Sequence, residues 1–236
     1  MLTYGQDMST HTRMSGAARR EAILEAVKRV FAERGFDGTT TRELAMAAGV
    51  SEALLYKHFP SKESLYAAMR GVCANGPLVQ AVNRIMALEA STSTLVILSH
   101  FLVSHFVVGC PREGGKSVLN RLMARSLLED GEFARLTLKQ TGDTWVGKFE
   151  SCLKAASKAG DLRDIPVRPD LRFWFTHHIA VILMLHLQPE APAIDYRVTK
   201  DGLVEQATWF ALLGVGVKDE AIRRHYNPKA WALLAD

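Results

Sequence analysis

Apolar residues recur along most of this chain at intervals of three and four positions, the spacing that places them on one face of an α-helix. The first such segment spans residues 22–31 and ends before Gly35. Later segments predict helices over about 61–75, 77–90, 93–109, 116–129, 132–159, 169–187, 200–213 and 218–234. No segment alternates strictly between apolar and polar residues, and no internal repeat is evident. The pattern therefore predicts an all-α protein.

Residues 36–66 carry polar and apolar side chains at the positions that a helix-turn-helix requires. Thr40 or Thr41 caps a short helix that Gly49 ends, because glycine adopts the left-handed cap conformation without a Cβ clash. Ser51 then caps a second helix, which Pro60 stops after about two turns. A helix this short is unstable alone, so its neighbours must hold it. Its inward residues are predicted to be Val50, Leu55 and Phe59, and its outward residues Ser51, Glu52, Ala53, Tyr56, Lys57 and His58.

Residues around this motif follow a wider spaced pattern. The pattern comprises Gly35-Phe36, Thr40-Thr41, Ala45, Ala48-Gly49-Val50-Ser51, Leu55-Tyr56, Phe59 and Lys62-Glu63-Leu65. With these positions, about the first seventy residues resemble the TetR family of transcriptional regulators. The resemblance implies an N-terminal three-helix helix-turn-helix DNA-binding domain over residues 15–66. It implies a larger helical ligand-binding and dimerisation domain over residues 67–236.

The resemblance also implies which side chains face double-stranded operator DNA. The matching positions are Thr40, Thr41, Ser51, Ala53, Leu54, Tyr56, Lys57, His58 and Lys62. The polar groups of Tyr56, His58 and Lys62 suit phosphate oxygens, and Lys57 suits the edge of a guanine. Two positions depart from the family's habit, since many members have a basic or small residue in place of Glu52 and a small hydroxyl residue in place of Leu54. The half-site sequence therefore stays open.

Two later segments are too apolar for helices with a single buried stripe. They span residues 173–185 and 204–213 and include Trp209. Such helices either complete the core of a monomer or form a subunit interface. The resemblance favours the interface, because family members pair their last two long helices in a four-helix dimer contact. We therefore expect a homodimer, whose two half-sites on DNA lie about 34–36 Å apart.

Between the DNA-binding segment and these helices, large apolar side chains are mixed with a few polar ones. The inward residues predicted to line a site for a small-molecule effector are Phe101, Leu119, Met123, Trp145, Phe149, Phe175 and His178. An ordinary hydrophobic core explains the same residues equally well. The identity of the effector cannot be deduced from the sequence.

Composition narrows the class of protein only slightly. The net charge of +4 and the pI of about 9.0 are mildly basic, and Arg13, Arg19 and Arg20 are placed to lie along phosphates or in a solvated tail. The N-terminus lacks the features of a signal peptide, and the apolar run 94–110 is too short for a membrane span. We therefore expect a cytoplasmic protein without a membrane partner. Three cysteines, Cys73, Cys110 and Cys152, form neither a disulfide framework nor a metal pattern, although a redox role stays open.

Catalytic motifs are not evident in the sequence. The histidine pairs His100 with His105 and His177 with His178 lack the spacing of a zinc-hydrolase helix, and neither a nucleophile elbow nor a phosphate-binding loop occurs. We expect no catalytic residue, metal or cofactor. The favoured hypothesis is a DNA-binding transcriptional repressor that a small-molecule effector releases from its operator. A helical DNA-binding protein without an effector and a helical enzyme are the alternatives.

Overall fold

The computed structural model describes residues 14–71, 77–109, 115–129 and 131–232. Their helices form two groups. Contacts within the chain separate a first unit, Met1–Val72, from a second unit, Cys73–Asp236. The first contains α1 (Gly16–Arg34), α2 (Thr41–Ala47), α3 (Glu52–His58) and α4 (Lys62–Gly71). The second contains α5 (Pro77–Ala87), α6 (Thr92–Val107), α7 (Gly115–Leu128), α8 (Glu132–Lys158), α9 (Pro169–Leu187), α10 (Lys200–Val215), α11 (Asp219–His225) and α12 (Pro228–Ala232).

These helices confirm the predicted all-α fold class. The helix predicted over 169–187 has those bounds in the structure, where Pro169 occupies the first helical position. The other predicted ends in the described parts of the chain lie within about three residues of the observed ends, with two exceptions. The first helix begins at Gly16, six residues before the apolar segment 22–31, and the segment predicted over 218–234 is divided into α11 and α12. Extended pairing among the described residues is confined to one isolated bridge between Leu162 and Val217.

The first unit is built around α1, which packs against α2 and α4. Its core includes the fully buried side chains of Phe31, Leu44, Leu55, Phe59 and Leu65. Each of these residues lies on the apolar face of its own helical segment. Burying their apolar area stabilises helices that are too short to persist alone. The buried face of α3 is therefore fixed against this core.

The second unit is organised around α6, which packs against α8, α9 and α10. Leu95, Val96 and Val103 on α6 are completely buried. A helix that is apolar on all sides requires neighbours on all sides, and the sequence of α6 has this property. Cys152 of α8 is also fully buried, and burial raises the pKa of its thiol. Cys73 and Cys110 lie outside the described residues.

A buried carboxylate joins three distant parts of this unit. Asp161, in the turn after α8, accepts hydrogen bonds from the Thr92 hydroxyl at 2.7 Å and from Arg224 Nη2 at 2.6 Å. His225 Nε2 lies 3.8 Å from the same carboxylate. The N-terminal end of α6 and the C-terminal end of α11 are thus fixed to one side chain.

The outer faces of α9 and α10 carry a row of exposed apolar side chains, which we call the outward row. It consists of Phe175 and Ile182 on α9 and Phe210 and Leu213 on α10. Trp209 does not belong to it, because Trp209 packs within the subunit against the core, the Tyr226 ring and the Arg223 guanidinium. No helix in the described residues is long and apolar enough to cross a membrane.

Candidate nucleic-acid interface

The N-terminal end of α2 is fixed by a reciprocal cap. Thr40 Oγ1 accepts from the backbone N–H of Glu43, while the Glu43 carboxylate accepts from the backbone N–H of Thr40 at 2.8 Å. The hydrogen bond from the Thr40 backbone is the main reason that the pKa of Glu43 lies below its ordinary value. Arg34 at the end of α1 forms an ion pair with Glu43. The cap predicted at Thr40 is therefore present, and it also connects α2 to α1.

The turn between α2 and α3 needs a glycine at one position. Gly49 has a φ of +63°, in the left-handed region that side chains with a Cβ rarely adopt. The backbone N–H of Val50 then donates to the Ala45 carbonyl at 3.0 Å, which closes the turn. Ser51 Oγ accepts from the backbone N–H of Leu54 at 3.2 Å and starts α3. The turn therefore fixes the direction of α3 relative to α2.

One side of α3 remains open to solvent. Ser51, Ala53, Tyr56 and Lys57 are exposed on it, whereas Leu54 and His58 are half-buried. The Tyr56 hydroxyl donates to Thr41 Oγ1 at 3.2 Å, so the exposed ring is tied to α2. Of the predicted DNA-facing residues, the structure brings Thr41 and Tyr56 into direct contact. The others lie on α3 or at the caps of α2 and α3, apart from Lys62, which begins α4.

Glu52 is the first residue of α3. A carboxylate in the first turn interacts favourably with the partial positive charge at a helix N-terminus. This stabilisation of the helix explains an acidic residue at position 52, where many family members have a basic or small residue. Lys57 and His58 in the last turn complement the opposite end of α3 in the same way.

Two basic side chains, Arg20 and Lys62, contact aromatic rings beside the helix-turn-helix. Arg20 of α1 donates from Nη1 to the His58 carbonyl at 2.7 Å, and its guanidinium lies 4.1 Å from the centroid of the Phe59 ring. Lys62 Nζ lies 4.2 Å from the centroid of the Phe36 ring. The Arg20 contacts were not predicted, because they join residues 38 positions apart and no local pattern indicates them. Arg13 lies outside the described residues.

The predicted effector residues occupy several environments in the second unit. Phe101 of α6 and Trp145 of α8 stack with their ring centroids 6.0 Å apart, and Phe149 is buried in the core. Leu119 and Met123 are half-buried on α7. His178 is exposed and stacks on Trp174, while Phe175 belongs to the outward row.

Four further rings extend the contact between Phe101 and Trp145. His105 stacks on Phe101 and meets Phe106, which in turn meets His177 of α9 beside Trp174. The sequence prediction of effector residues did not include these four. Helical spacing indicates that a residue is buried but does not distinguish the wall of a site from ordinary core. No group of three or more potential metal ligands occurs among the described residues.

The short helix α3 exposes one polar face, packs against the core formed with α1 and α4, and follows a glycine turn. This arrangement is that of a helix-turn-helix protein. Residues 23–69 match the family model described as bacterial regulatory proteins, tetR family. The transcriptional repressor KstR2 of Rhodococcus jostii is 30% identical over 152 residues, which cover 62% of this chain and 71% of that protein. The chain belongs to the TetR family.

Other relatives match mainly through the DNA-binding segment. The repressor AcnR of Corynebacterium diphtheriae is 36% identical over 77 residues, and the repressor Rv1474c of Mycobacterium tuberculosis is 43% identical over 53 residues. These matches span only 40% and 28% of the two repressors, respectively. Sequence similarity to them therefore concerns the helix-turn-helix rather than the second unit.

Solved structures extend the likeness to most of the chain at the level of fold. NalD of Pseudomonas aeruginosa, a repressor of a multidrug efflux pump, has a TM-score of 0.65 and 20% identity over 87% of this chain and all of its own. AibR, solved with isovaleryl coenzyme A and operator DNA, has a TM-score of 0.59 and 22% identity over 81% of this chain and 97% of its own. At these identities the likeness establishes the helical fold.

Proposed function

We propose that this protein is a homodimeric transcriptional repressor in the cytoplasm and that a small-molecule effector releases it from operator DNA. Residues 15–66 would bind DNA, and residues 67–236 would bind the effector and form the dimer. The observation that carries the proposal is the exposed face of α3, which Thr41, Arg20 and the core of the first unit hold rigidly. A preformed surface of this kind loses little conformational entropy on binding.

Within this proposal, α3 enters the major groove and its side chains divide between two tasks. Tyr56, His58 and Lys62 contact phosphates together with Thr40 and Thr41, which lie at the start of α2. Lys57 is exposed in the last turn of α3 and reads a base edge. Ser51, Ala53 and Leu54 complete the surface that faces DNA.

Support for an effector comes from two sources. Phe101, Trp145 and Phe149, three of the predicted effector residues, lie among the aromatic contacts between α6, α8 and α9. The structural neighbour AibR was crystallised with both an acyl coenzyme A and its operator. We propose that the two ligands of the present protein bind at separate sites and oppose each other, as thermodynamic linkage requires when each favours a different conformation.

The direct test is selection of bound duplexes from a library of random DNA, followed by affinity measurements on the recovered sequence. A repressor of this architecture should enrich a two-fold symmetric site with half-sites about one helical turn apart. Recovery of no preferred sequence would contradict the proposal. The recovered site then serves as the operator in the experiments below.

Phosphate contacts and base contacts should respond differently to substitution. We expect Lys62→Ala and Tyr56→Phe to weaken binding to operator and to random DNA together, and Lys62→Ala to reduce the salt slope by about one unit. Lys57→Ala should instead lower the ratio of specific to non-specific affinity. Binding isotherms at four salt concentrations measure both quantities. An unchanged slope with selective loss of operator binding would remove Lys62 from the phosphate contacts.

Arg20 should act by positioning α3 rather than by touching phosphate. We expect Arg20→Gln to lower operator affinity about fivefold, since an exposed cation–π contact and one hydrogen bond are lost, and to leave the salt slope unchanged. The neighbouring Arg19→Gln variant is the matched control for loss of one positive charge in α1. A slope reduced by about one unit in Arg20→Gln would show that Arg20 binds a phosphate directly.

A further inference from the structure

Rings from α6, α8 and α9 meet in a cluster that we call the ring junction. It comprises Phe101, His105, Phe106, Trp145, Phe149, Phe173, Trp174 and His177, and His105 links Phe101 to Phe106. Phe149 and Phe173 form its floor, with ring centroids 5.6 Å apart and both side chains buried. Phe101, Trp145 and Trp174 are partly exposed, so the ring junction extends from the core to the surface of the second unit.

His177 differs from the other members because it is polar and lacks a partner for one ring nitrogen. Its side chain is only 5% exposed, and Nδ1 is buried without a hydrogen bond. Phe106 and Trp174 meet the imidazole edge-on, each with a centroid separation of 5.5 Å. A buried polar atom without a partner destabilises the fold, so its retention calls for an explanation. One explanation is that a bound ligand supplies the missing hydrogen-bond partner.

Three other buried polar atoms of the same unit also lack a hydrogen-bond partner among the described residues. Arg84 Nε on α5, Asn120 Nδ2 on α7 and Thr137 Oγ1 on α8 are also buried without hydrogen bonds. The helices α7 and α8 pack together, and Asn120 follows directly after Leu119 in the half-buried part of α7. In the part of the second unit that the structure describes, several buried polar groups thus have no hydrogen-bond partner.

The charge state of His177 restricts what it can bind. Burial, with a smaller contribution from the neighbouring His178, lowers the pKa of the imidazole to about 4. At neutral pH the ring is therefore uncharged and has one donor and one acceptor nitrogen. A hydroxyl or carbonyl group can satisfy Nδ1, whereas a carboxylate would be buried beside apolar rings without a countercharge.

We propose that the ring junction is the binding site for a neutral aromatic or similarly flat apolar compound with one hydrogen-bonding group, and that His177 Nδ1 anchors that group. The inference deepens the proposed function, because it names the chemical class of the effector. The rings supply apolar walls that stack against or meet the edge of a flat ligand, and His177 selects the polar substituent.

Three probes that share one ring system test this class by calorimetric titration at pH 7. They are naphthalene, 2-naphthol and 2-naphthoate, which carry no polar group, a neutral hydroxyl and a carboxylate, respectively. We expect the wild-type protein to bind 2-naphthol about tenfold more tightly than naphthalene, the value of one net hydrogen bond, and 2-naphthoate most weakly. Equal affinities for 2-naphthol and naphthalene, or preference for the carboxylate, would overturn the proposal without any variant.

His177→Phe provides the second arm. The variant should retain naphthalene binding and lose the preference for 2-naphthol. Its midpoint of thermal unfolding should stay the same or rise, because an unsatisfied polar atom is replaced by an apolar ring of similar shape. His177→Gln, which keeps a hydrogen-bonding group, should retain part of the preference. His186→Phe on the same helix is the control, since His186 bonds to the Tyr196 hydroxyl outside the ring junction.

A lower thermal midpoint with unchanged probe preference in His177→Phe would make His177 a structural residue and overturn its role as anchor. The proposed repressor function is measured separately, by selection of the operator without any probe. Binding of 2-naphthol without an effect on operator affinity would uphold the site while removing the switch. Operator binding without discrimination among the probes would uphold the repressor and remove the site.

Discussion

Phe210→Glu is expected to convert the proposed homodimer to monomers and to weaken operator binding by a factor on the order of 10² to 10⁴, because two linked half-site contacts become independent ones. Phe210 is 69% exposed in the isolated subunit, so the substitution should leave the subunit fold intact. In a two-fold symmetric contact the charge is repeated by symmetry, and neither copy has a countercharge. Sedimentation velocity and operator titration measure the two effects.

A control for Phe210→Glu must introduce the same charge at an exposed apolar residue elsewhere. Leu128→Glu does so, since Leu128 lies at the end of α7 and is 87% exposed. This variant should sediment and bind operator like the wild-type protein. A dimer that persists in Phe210→Glu with unchanged operator affinity would exclude the outward row from the subunit contact.

Asp161→Ala should lower the stability of the second unit by about 2–3 kcal/mol, a large effect for the loss of one polar side chain. The substitution leaves the buried Thr92 hydroxyl without its acceptor and releases Arg224 at the end of α11. The backbone hydrogen bond from Lys218 to the carbonyl of residue 161 should persist. Urea unfolding with an unchanged m value would report the loss as a shift of the midpoint.

Asp219→Ala is the matched control for Asp161→Ala. Asp219 pairs with Arg223 on the surface of α11, where water replaces the lost contact, so little or no change in stability is expected. Asp161→Asn should lie between the two, because an amide can still accept from Thr92 but carries no charge. Equal stability of the Asp161→Ala and Asp219→Ala variants would contradict the importance of burial at Asp161.

Local sequence rules predicted the helix-turn-helix well. The caps at Thr40 and Ser51, the positive φ of Gly49 and the inward direction of Leu55 and Phe59 each follow from residue chemistry within a few positions. The fold class followed from the same rules applied over longer segments. These features are predictable because the groups that determine them are neighbours in the chain.

The features that were missed depend on contacts between distant residues. The sequence placed Arg20 near phosphates, yet its side chain reaches the His58 carbonyl. The sequence did not indicate that Trp209 packs against the core while its neighbour Phe210 is exposed, and the subunit interface itself stays a prediction. Helical periodicity gives the angle between two side chains of an almost wholly apolar helix but not which of them faces the core. The partner of Asp161 could not be predicted for the same reason.

The contacts of α3 also indicate how its DNA preference can be redesigned. Ser51, Leu55 and Tyr56 hold the helix, through a cap, the core and a hydrogen bond to Thr41, whereas Ala53 and Lys57 project into solvent. Residues that hold the helix cannot vary freely, but the two exposed positions can be varied at little cost to the scaffold when proline and glycine are left out. A library at positions 53 and 57 alone would therefore yield folded variants, and selecting them against altered operators would produce orthogonal regulators from one protein.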